Sequence, residues 1–411
     1  MRPSARLAAA VAATGVLVSA AACGSSSSGG GTTPLPPVAN TVALVANVGP
    51  SAQRPAMSTA YVSVTICAPG SSTECVTVPN IILDTGASGL RVLSSALGGL
   101  SVSNLTSGGA TVAACIQYVD LSYNWGPVAL FDVKMAGETA RSVPIQVIAD
   151  PAFAFPAAPP GCANGGTAGN TVDGLSANGY LGVSSAVYDC GSSCAPGTAS
   201  NPGLYYACAG SSCQVTTVPL GSQIQNPVAL FASDNNGVMI TLPALPAAGA
   251  PSASGTLTFG IGTQGDNALG GAVVQTQDVH GNFTTTYDGV PYASSFIDSG
   301  TNGIFFLDAA TTGLPTCSLS PDFYCPPTTQ SLTATNRGAN ARTKSVTFSV
   351  ANLDSLPAAN WVFDNVAGPS SFGTSSSKYF DWGLPFFFGR TVFVAIDGRS
   401  TPGGYGPYWA Y

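Results

Sequence analysis

The feature that most restricts this chain is a frame of nine residues that occurs twice. Ile82-Leu83-Asp84-Thr85-Gly86-Ala87-Ser88-Gly89-Leu90 and Phe296-Ile297-Asp298-Ser299-Gly300-Thr301-Asn302-Gly303-Ile304 agree position by position in chemical type. Each reads as two apolar residues, Asp, a hydroxyl, Gly, two small or polar residues, Gly and an apolar residue. A single Asp-[Ser/Thr]-Gly is an ordinary turn in a chain rich in Ser, Thr and Gly. Two copies in matching apolar frames, 214 positions apart, call for two buried strands that end in similar turns. A second echo follows each copy, since an apolar or aromatic residue stands directly before Gly in Gly179-Tyr180-Leu181-Gly182-Val183 and again in Asp381-Trp382-Gly383-Leu384. The chain therefore reads as two related lobes.

Its length agrees. Residues 1–22 carry Arg2 and Arg6 and then an Ala/Val/Leu run, the pattern of a secretory signal peptide, too short to span a bilayer. Ala20, Ala21 and Ala22 stand before Cys23, which is followed by Gly24 and Ser25, as in a bacterial lipoprotein signal. Cys23 is the expected lipidation site, with ordinary cleavage and release of a soluble protein as the alternative. Residues 23–40 form a Ser/Gly/Pro-rich tether that cannot bury a core. From Thr41 onward the chain is longer than one hydrophobic core organises, so an N-terminal lobe over 41–262 and a C-terminal lobe over 263–411 are expected.

The chain has 11 cysteines; setting Cys23 aside leaves an even number, which in an exported protein implies disulfides. Short loops join Cys67 to Cys75 and Cys317 to Cys325. Cys190, Cys194, Cys208 and Cys213 are expected to staple one excursion, leaving Cys115 and Cys162 for each other. Charged residues make up only 8% of the chain against about 25% in ordinary globular proteins, and the net charge is −7. With no basic stripe to displace counterions, nucleic acid is not an expected partner. Val, Thr, Ile, Tyr and Phe cluster in short runs such as 61–66, 128–135, 238–242, 256–259, 345–350 and 391–396, separated by Gly, Pro, Asn and Ser. That pattern predicts a mostly β fold of many short strands. Segments 92–97 and 226–232 are predicted as short helices, and 161–176 as a long surface loop.

At this point the motifs resemble the pepsin-like aspartic peptidases. Their C-terminal region reads as an apolar-Gly element, an aromatic stretch and a closing strand ending in Asp, as do Trp382-Gly383-Leu384-Pro385-Phe386-Phe387-Phe388-Gly389-Arg390 and then Thr391 to Asp397 here. Gly237 to Leu242 and Gly255 to Gly260 resemble the two strands that cross between the lobes. The resemblance implies a bilobal double β-barrel with a central inter-lobe sheet, and an endopeptidase working through Asp84 and Asp298. The chemistry accounts for the residue types. Hydrolysis without metal or covalent intermediate needs one group to take a proton from water and another to give one to the carbonyl oxygen. Two carboxylates held close cannot both ionise readily, so they share a proton.

The resemblance also assigns supporting roles. Thr85 and Ser299 match hydroxyls that reach across and brace the pair, while Gly86 and Gly300 let backbone approach the carboxylates. Thr301 matches a hydroxyl bonded to its own lobe's aspartate; the partner position is Ala87, a loss expected to favour less acidic working conditions. Tyr118 is the first choice for the tyrosine of a cleft-covering hairpin, with Tyr123 and Trp125 behind it. Arg91 stands where many relatives have Trp. No cofactor and no metal are implied. The expected partner is a peptide or protein substrate met by a monomer, with membrane contact through the lipid alone, in the cell envelope as an outer membrane lipoprotein or outside the cell.

Other chemistries are poorly served. A Ser or Cys triad needs a His base, and the one histidine, His280, sits in what reads as a hairpin tip, Gln277 to Asn282. The same scarcity disfavours zinc, and the Gly-rich tracts lack the Lys of a phosphate cradle. The competing function is a catalytically weak or inactive surface lipoprotein that holds extended peptides in its cleft by strand pairing; a purely structural surface lipoprotein is the plainest alternative.

Overall fold

The computed structural model describes residues 39–101, 103–118, 120–370 and 379–411. The signal segment, nearly all of the tether and the Cys23 site lie outside the described residues. As expected, the fold is mostly β and two-lobed.

In the first lobe, six strands close into a barrel: Thr59–Cys67, Cys75–Asp84, Gly179–Val183, Ser88–Leu93, Glu138–Ile148 and Tyr123–Met135, which pairs back onto the first. β-branched and aromatic side chains on the inward faces fill it, with Val64, Ile66, Leu83, Leu90, Phe131 and Ile145 all fully buried. Such residues suit a pleated, half-buried surface.

The repeated frame has a common topological cause. The strand ending in Asp84 lies parallel to Gly179–Val183, with Asp84 opposite Gly182. The strand leaving the turn, Ser88–Leu93, runs antiparallel to the same neighbour, with Gly89 also opposite Gly182. Gly182 thus sits in the fork where the chain parts, and a Cβ there would come within 2.6 Å of the Ala87 carbonyl oxygen. The second lobe repeats the fork. Val290–Ile297 lies parallel to Phe380–Trp382, and Ile304–Phe306 antiparallel to it. A Cβ on Gly383 would meet the Thr301 carbonyl oxygen at 2.7 Å. The apolar-Gly echo seen in the sequence is the packing requirement of these forks.

The second lobe is a nearly closed barrel in the order Thr343–Val350, Gln330–Arg337, Phe283–Tyr287, Val290–Ile297, Phe380–Trp382, Ile304–Phe306, Ala367–Gly368. Phe306, Phe348, Phe380 and Trp382 make its aromatic centre, with ring centroids such as Phe306–Phe380 at 5.1 Å and Phe348–Trp382 at 5.2 Å. The central sheet is antiparallel: Thr41–Asn47, Ala253–Phe259, Gly237–Leu242, Arg390–Ala395, Tyr408–Ala410 and Val274–Thr276. The two strands expected to cross between the lobes are adjacent in it, with Ile240 opposite Leu257.

Five disulfides form: Cys67–Cys75, Cys115–Cys162, Cys190–Cys194, Cys208–Cys213 and Cys317–Cys325. They fit maturation in an oxidising, exported environment. The two predicted short helices are smaller than expected. Val92 and Leu93 belong to a strand because they pair with Val147 and Ile148, leaving only the 3₁₀ turn Ser94–Ala96. Pro227–Leu230 is a 3₁₀ turn whose Val228 N–H donates to the Asn226 side chain. Segment 161–176 is not wholly loop, since it holds most of Pro160–Ala163 and all of Val172–Leu175 as single helical turns. His280 is exposed in the turn, where the Asp278 carboxylate accepts its backbone N–H.

Candidate active site

Both forks deliver their aspartates to one place. Asp84 is the last residue of its strand and Asp298 follows the end of Val290–Ile297. Their carboxyls border one point beside Gly300, where a Cβ would lie 3.1 Å from Asp84 Oδ1 and 3.1 Å from Asp298 Oδ1. The glycines explain how two carboxyls come so close. A Cβ on Gly86 would lie 2.5 Å from Asp298 Oδ2, and one on Gly300 would lie 2.9 Å from Asp84 Cγ. Each glycine thus leaves room for the opposite lobe's carboxyl.

The hydroxyls flanking the pair form a reciprocal brace. Thr85 N–H donates to Ser299 Oγ at 3.1 Å, and Ser299 N–H donates to Thr85 Oγ1 at 2.9 Å. The hydroxyls pass their own protons on, Thr85 to the Ile297 carbonyl at 3.2 Å and Ser299 to the Leu83 carbonyl at 2.7 Å. Both residues are 1% exposed, so water cannot substitute for any of these four bonds.

The carboxyls differ in what they accept. Asp84 Oδ1 accepts the N–H groups of Gly86 at 2.8 Å and Ala87 at 2.9 Å. Asp298 Oδ1 accepts Gly300 N–H at 2.7 Å, and its Oδ2 accepts the Thr301 hydroxyl at 3.1 Å. Burial, then the negative charge of Asp298, push Asp84 well above the usual carboxylate range. Burial also raises Asp298, against the pull of its Gly300 and Thr301 donors. Ala87 offers Asp84 no hydroxyl, and the two carboxyls titrate as a pair.

The hairpin between Ala110–Gln117 and Tyr123–Met135 places the three aromatic candidates differently. Tyr118 opens its turn, half-buried, its hydroxyl donating to Asn124 Oδ1 at 2.7 Å and its ring 5.4 Å from that of Tyr180. Burial and then the neighbouring Tyr180 raise its pKa, against the pull of Arg91. Trp125 is buried, with its Nε1 donating to the Phe155 carbonyl and its ring edge-on to Tyr206. Tyr123 packs on the same satellite core. Both belong to the root of the hairpin, where Cys115–Cys162 also ties it down.

Arg91 is fully enclosed and paired with Asp189 at 2.8 Å. The second Asp189 oxygen accepts the Tyr205 hydroxyl at 2.6 Å, and that hydroxyl accepts the Ile224 N–H. Sequence reasoning did not foresee this network, because its members are far apart in the chain. It also passed over Asp381, quoted only as part of an apolar-Gly echo. A carboxyl beside Phe380 and Trp382 in a buried strand was the available signal.

The forks, the central sheet and the centre where the lobes meet define a two-lobed chain of pepsin-like architecture. It is similar to the crystal structure of the aspartic proteinase from Irpex lacteus, with a TM-score of 0.50 and 15% identity over 91% of this chain and 96% of that one. Residues 36–411 match the family described as "Protein of unknown function (DUF3443)", and the chain belongs to that family. No curated protein matches its sequence.

Proposed function

We propose that the protein is an aspartic endopeptidase acting through Asp84 and Asp298. The observation that carries this reading is the meeting of the two carboxyls at one point beside Gly300, across the reciprocal Thr85–Ser299 brace. A module that only binds peptides has no use for such a pair, which costs stability through desolvation. Asp298, the better-solvated member and so the ionised one, takes a proton from a water placed between the carboxyls. The water oxygen bonds to the scissile carbonyl carbon while the carbonyl oxygen takes the proton of Asp84, giving a tetrahedral diol. Collapse of the diol breaks the C–N bond: a proton passes from Asp298 to the leaving nitrogen, a diol proton returns to Asp84, and the pair again holds one proton.

In this reading Tyr118 covers the cleft and an extended substrate lies between it and the pair, held by strand-like hydrogen bonds. Lipidation at Cys23 holds the domain at the cell envelope by its tether. The test is digestion of a denatured protein mixture by the purified mature protein across a range of pH. Cleavage that disappears in Asp84→Asn, in Asp298→Asn and with a statine-type mimic of the diol supports the peptidase. Absence of cleavage at every pH, with peptide binding that survives both substitutions, would replace it by the surface binder.

A further inference from the structure

The barrel of the second lobe leaves a seam, and the seam is a cavity. Its edge strands are Thr343–Val350 and Ala367–Gly368, which among the described residues do not pair with each other. Just past the first of them the Ala351 N–H donates to the Asn365 carbonyl at 2.8 Å and ties one end of the seam. Thr347 and Ser349 of one edge and Asp364, just before the other, line a cavity of about 240 Å³, and the buried rings of Phe348 and Phe386 complete its wall. A neighbouring cavity of about 370 Å³ shares Thr347 and Arg390 with it and extends to Lys344.

Two opposite charges, Asp364 and Arg390, face the first cavity without meeting. The Arg390 guanidinium lies 4.7 Å over the Phe386 ring, with Nη1 donating to the Phe386 carbonyl at 2.6 Å and Nη2 to the Thr347 carbonyl at 3.3 Å. It forms no ion pair among the described residues. A guanidinium has five N–H donors in a flat fork, so donors remain for a carboxylate. Asp364 is half-buried, and no other described residue hydrogen-bonds its carboxyl. Partial burial raises it and the charge of Arg390 pulls it back, so the two act on each other across the space between them. Lys344 is already engaged, donating to the Tyr411 main-chain oxygen at 2.8 Å.

Charges withdrawn from water call for partners. A lone anion drawn to Arg390 would meet Asp364, and a lone cation drawn to Asp364 would meet Arg390, so the complementary ligand carries both signs. The cavity is far larger than the ~10–15 Å³ that one water needs and smaller than the ~300–1,000 Å³ of sites for drug-sized ligands. We propose that this seam is a second binding site, for a small zwitterion: a free amino acid or dipeptide with its carboxylate on Arg390 and its ammonium on Asp364. None of the lining residues belongs to the turns that carry Asp84 and Asp298, so the site stands whether or not the chain is a peptidase.

The test is calorimetric titration of the mature protein with leucine and glycyl-leucine, beside two blocked dipeptides. N-acetyl-glycyl-leucine lacks the ammonium, and glycyl-leucinamide lacks the carboxylate. Each block should weaken binding about tenfold or more, the loss of one charge-assisted hydrogen bond. Asp364→Asn should bind glycyl-leucine as weakly as wild type binds the acetylated form, and should bind the acetylated form as wild type does. Arg390→Gln should do the same for the amide. That matching of ligand group to residue is a double-mutant cycle, which a purely structural role for either residue would not produce. If Arg390→Gln does not fold, Arg390→Lys takes its place: it keeps the charge, loses the fork and should weaken only the ligands that bear a carboxylate. Absence of saturable binding by leucine and glycyl-leucine at millimolar concentrations overturns the proposal, as does binding that the Asp364 and Arg390 variants leave unchanged. Binding that is lost in Asp84→Asn instead would put the ligand in the cleft and overturn it as well.

Discussion

Replacing Thr85 by Val keeps the shape of the side chain and deletes only its hydroxyl. The Ser299 N–H then loses the acceptor it has at 2.9 Å, and the Ile297 carbonyl loses the donor it has at 3.2 Å. Both groups face a residue that is 1% exposed, so solvent does not replace what is lost. Each orphaned buried group costs about 1–3 kcal/mol, which gives about 2–6 kcal/mol for the pair. Unfolding entropy scales with chain length, and for a folded unit this long each kcal/mol is worth about 1–1.5 °C, so the midpoint should fall by roughly 2–9 °C. Thr85→Ser retains the hydroxyl and should melt within about 1 °C of wild type on the same scale. Calorimetry at one fixed, mildly acidic pH compares them. Ser299→Ala should lose a similar amount, and the double variant should lose less than the sum, because the two residues share one interface. A Thr85→Val protein that melts with wild type, or a Thr85→Ser protein that melts as low as Val, would refute the brace as the element joining the lobes at this point.

Two further outcomes follow from the same geometry. Gly86→Ala places a Cβ 2.5 Å from Asp298 Oδ2 and must part the carboxyls; a displacement near 1 Å can cost about 100-fold in rate. Peptide cleavage should fall by that factor or more, while Gly221→Ala, where a Cβ meets nothing within 4 Å, should cleave as wild type. Thermal stability should rise as pH is lowered from neutral toward the ordinary carboxylate range, about 4. Burial raises Asp84, Asp298 and Asp381 above their unfolded values, so the folded chain binds more protons; this contribution is complete below that range and is lost as pH climbs through the raised values. Asp84→Asn should therefore melt higher than wild type at neutral pH and show a flatter pH dependence. A lower midpoint for that variant at neutral pH would contradict the assignment of Asp84 as a desolvated acid.

Much of this was legible in the chain because it is local or repeated. The two frames around Asp84 and Asp298 carry their own turns, and the Gly182 and Gly383 echoes record how each turn is packed. Alternating β-branched residues gave the strands, and the short spacings of Cys67–Cys75 and Cys317–Cys325 gave their bridges. Helical turns were less legible, since the pairing of Val92 and Leu93 with a neighbouring strand decided a segment whose own preferences are weak.

Other properties arise only when the two lobes meet or when distant strands are packed together. The Thr85–Ser299 brace and the Thr301 hydroxyl on Asp298 were expected from the family resemblance, while nothing in Ile82–Leu90 by itself says that Thr85 will bond a residue of the other lobe. Arg91 reads as a departure until Asp189 and Tyr205 enclose it, and Trp125 reads as a cleft aromatic until Phe155 and Tyr206 claim it for a core. Asp381 reads as part of a packing motif until its oxygen is found buried and, among the described residues, without a hydrogen-bond partner. The sequence by itself determined two lobes and two aspartates. Tertiary structure decided how the two carboxyls are held and in which direction their proton affinity moves, because that affinity is set by burial and by charges and donors that lie hundreds of residues apart in the chain and meet only after folding.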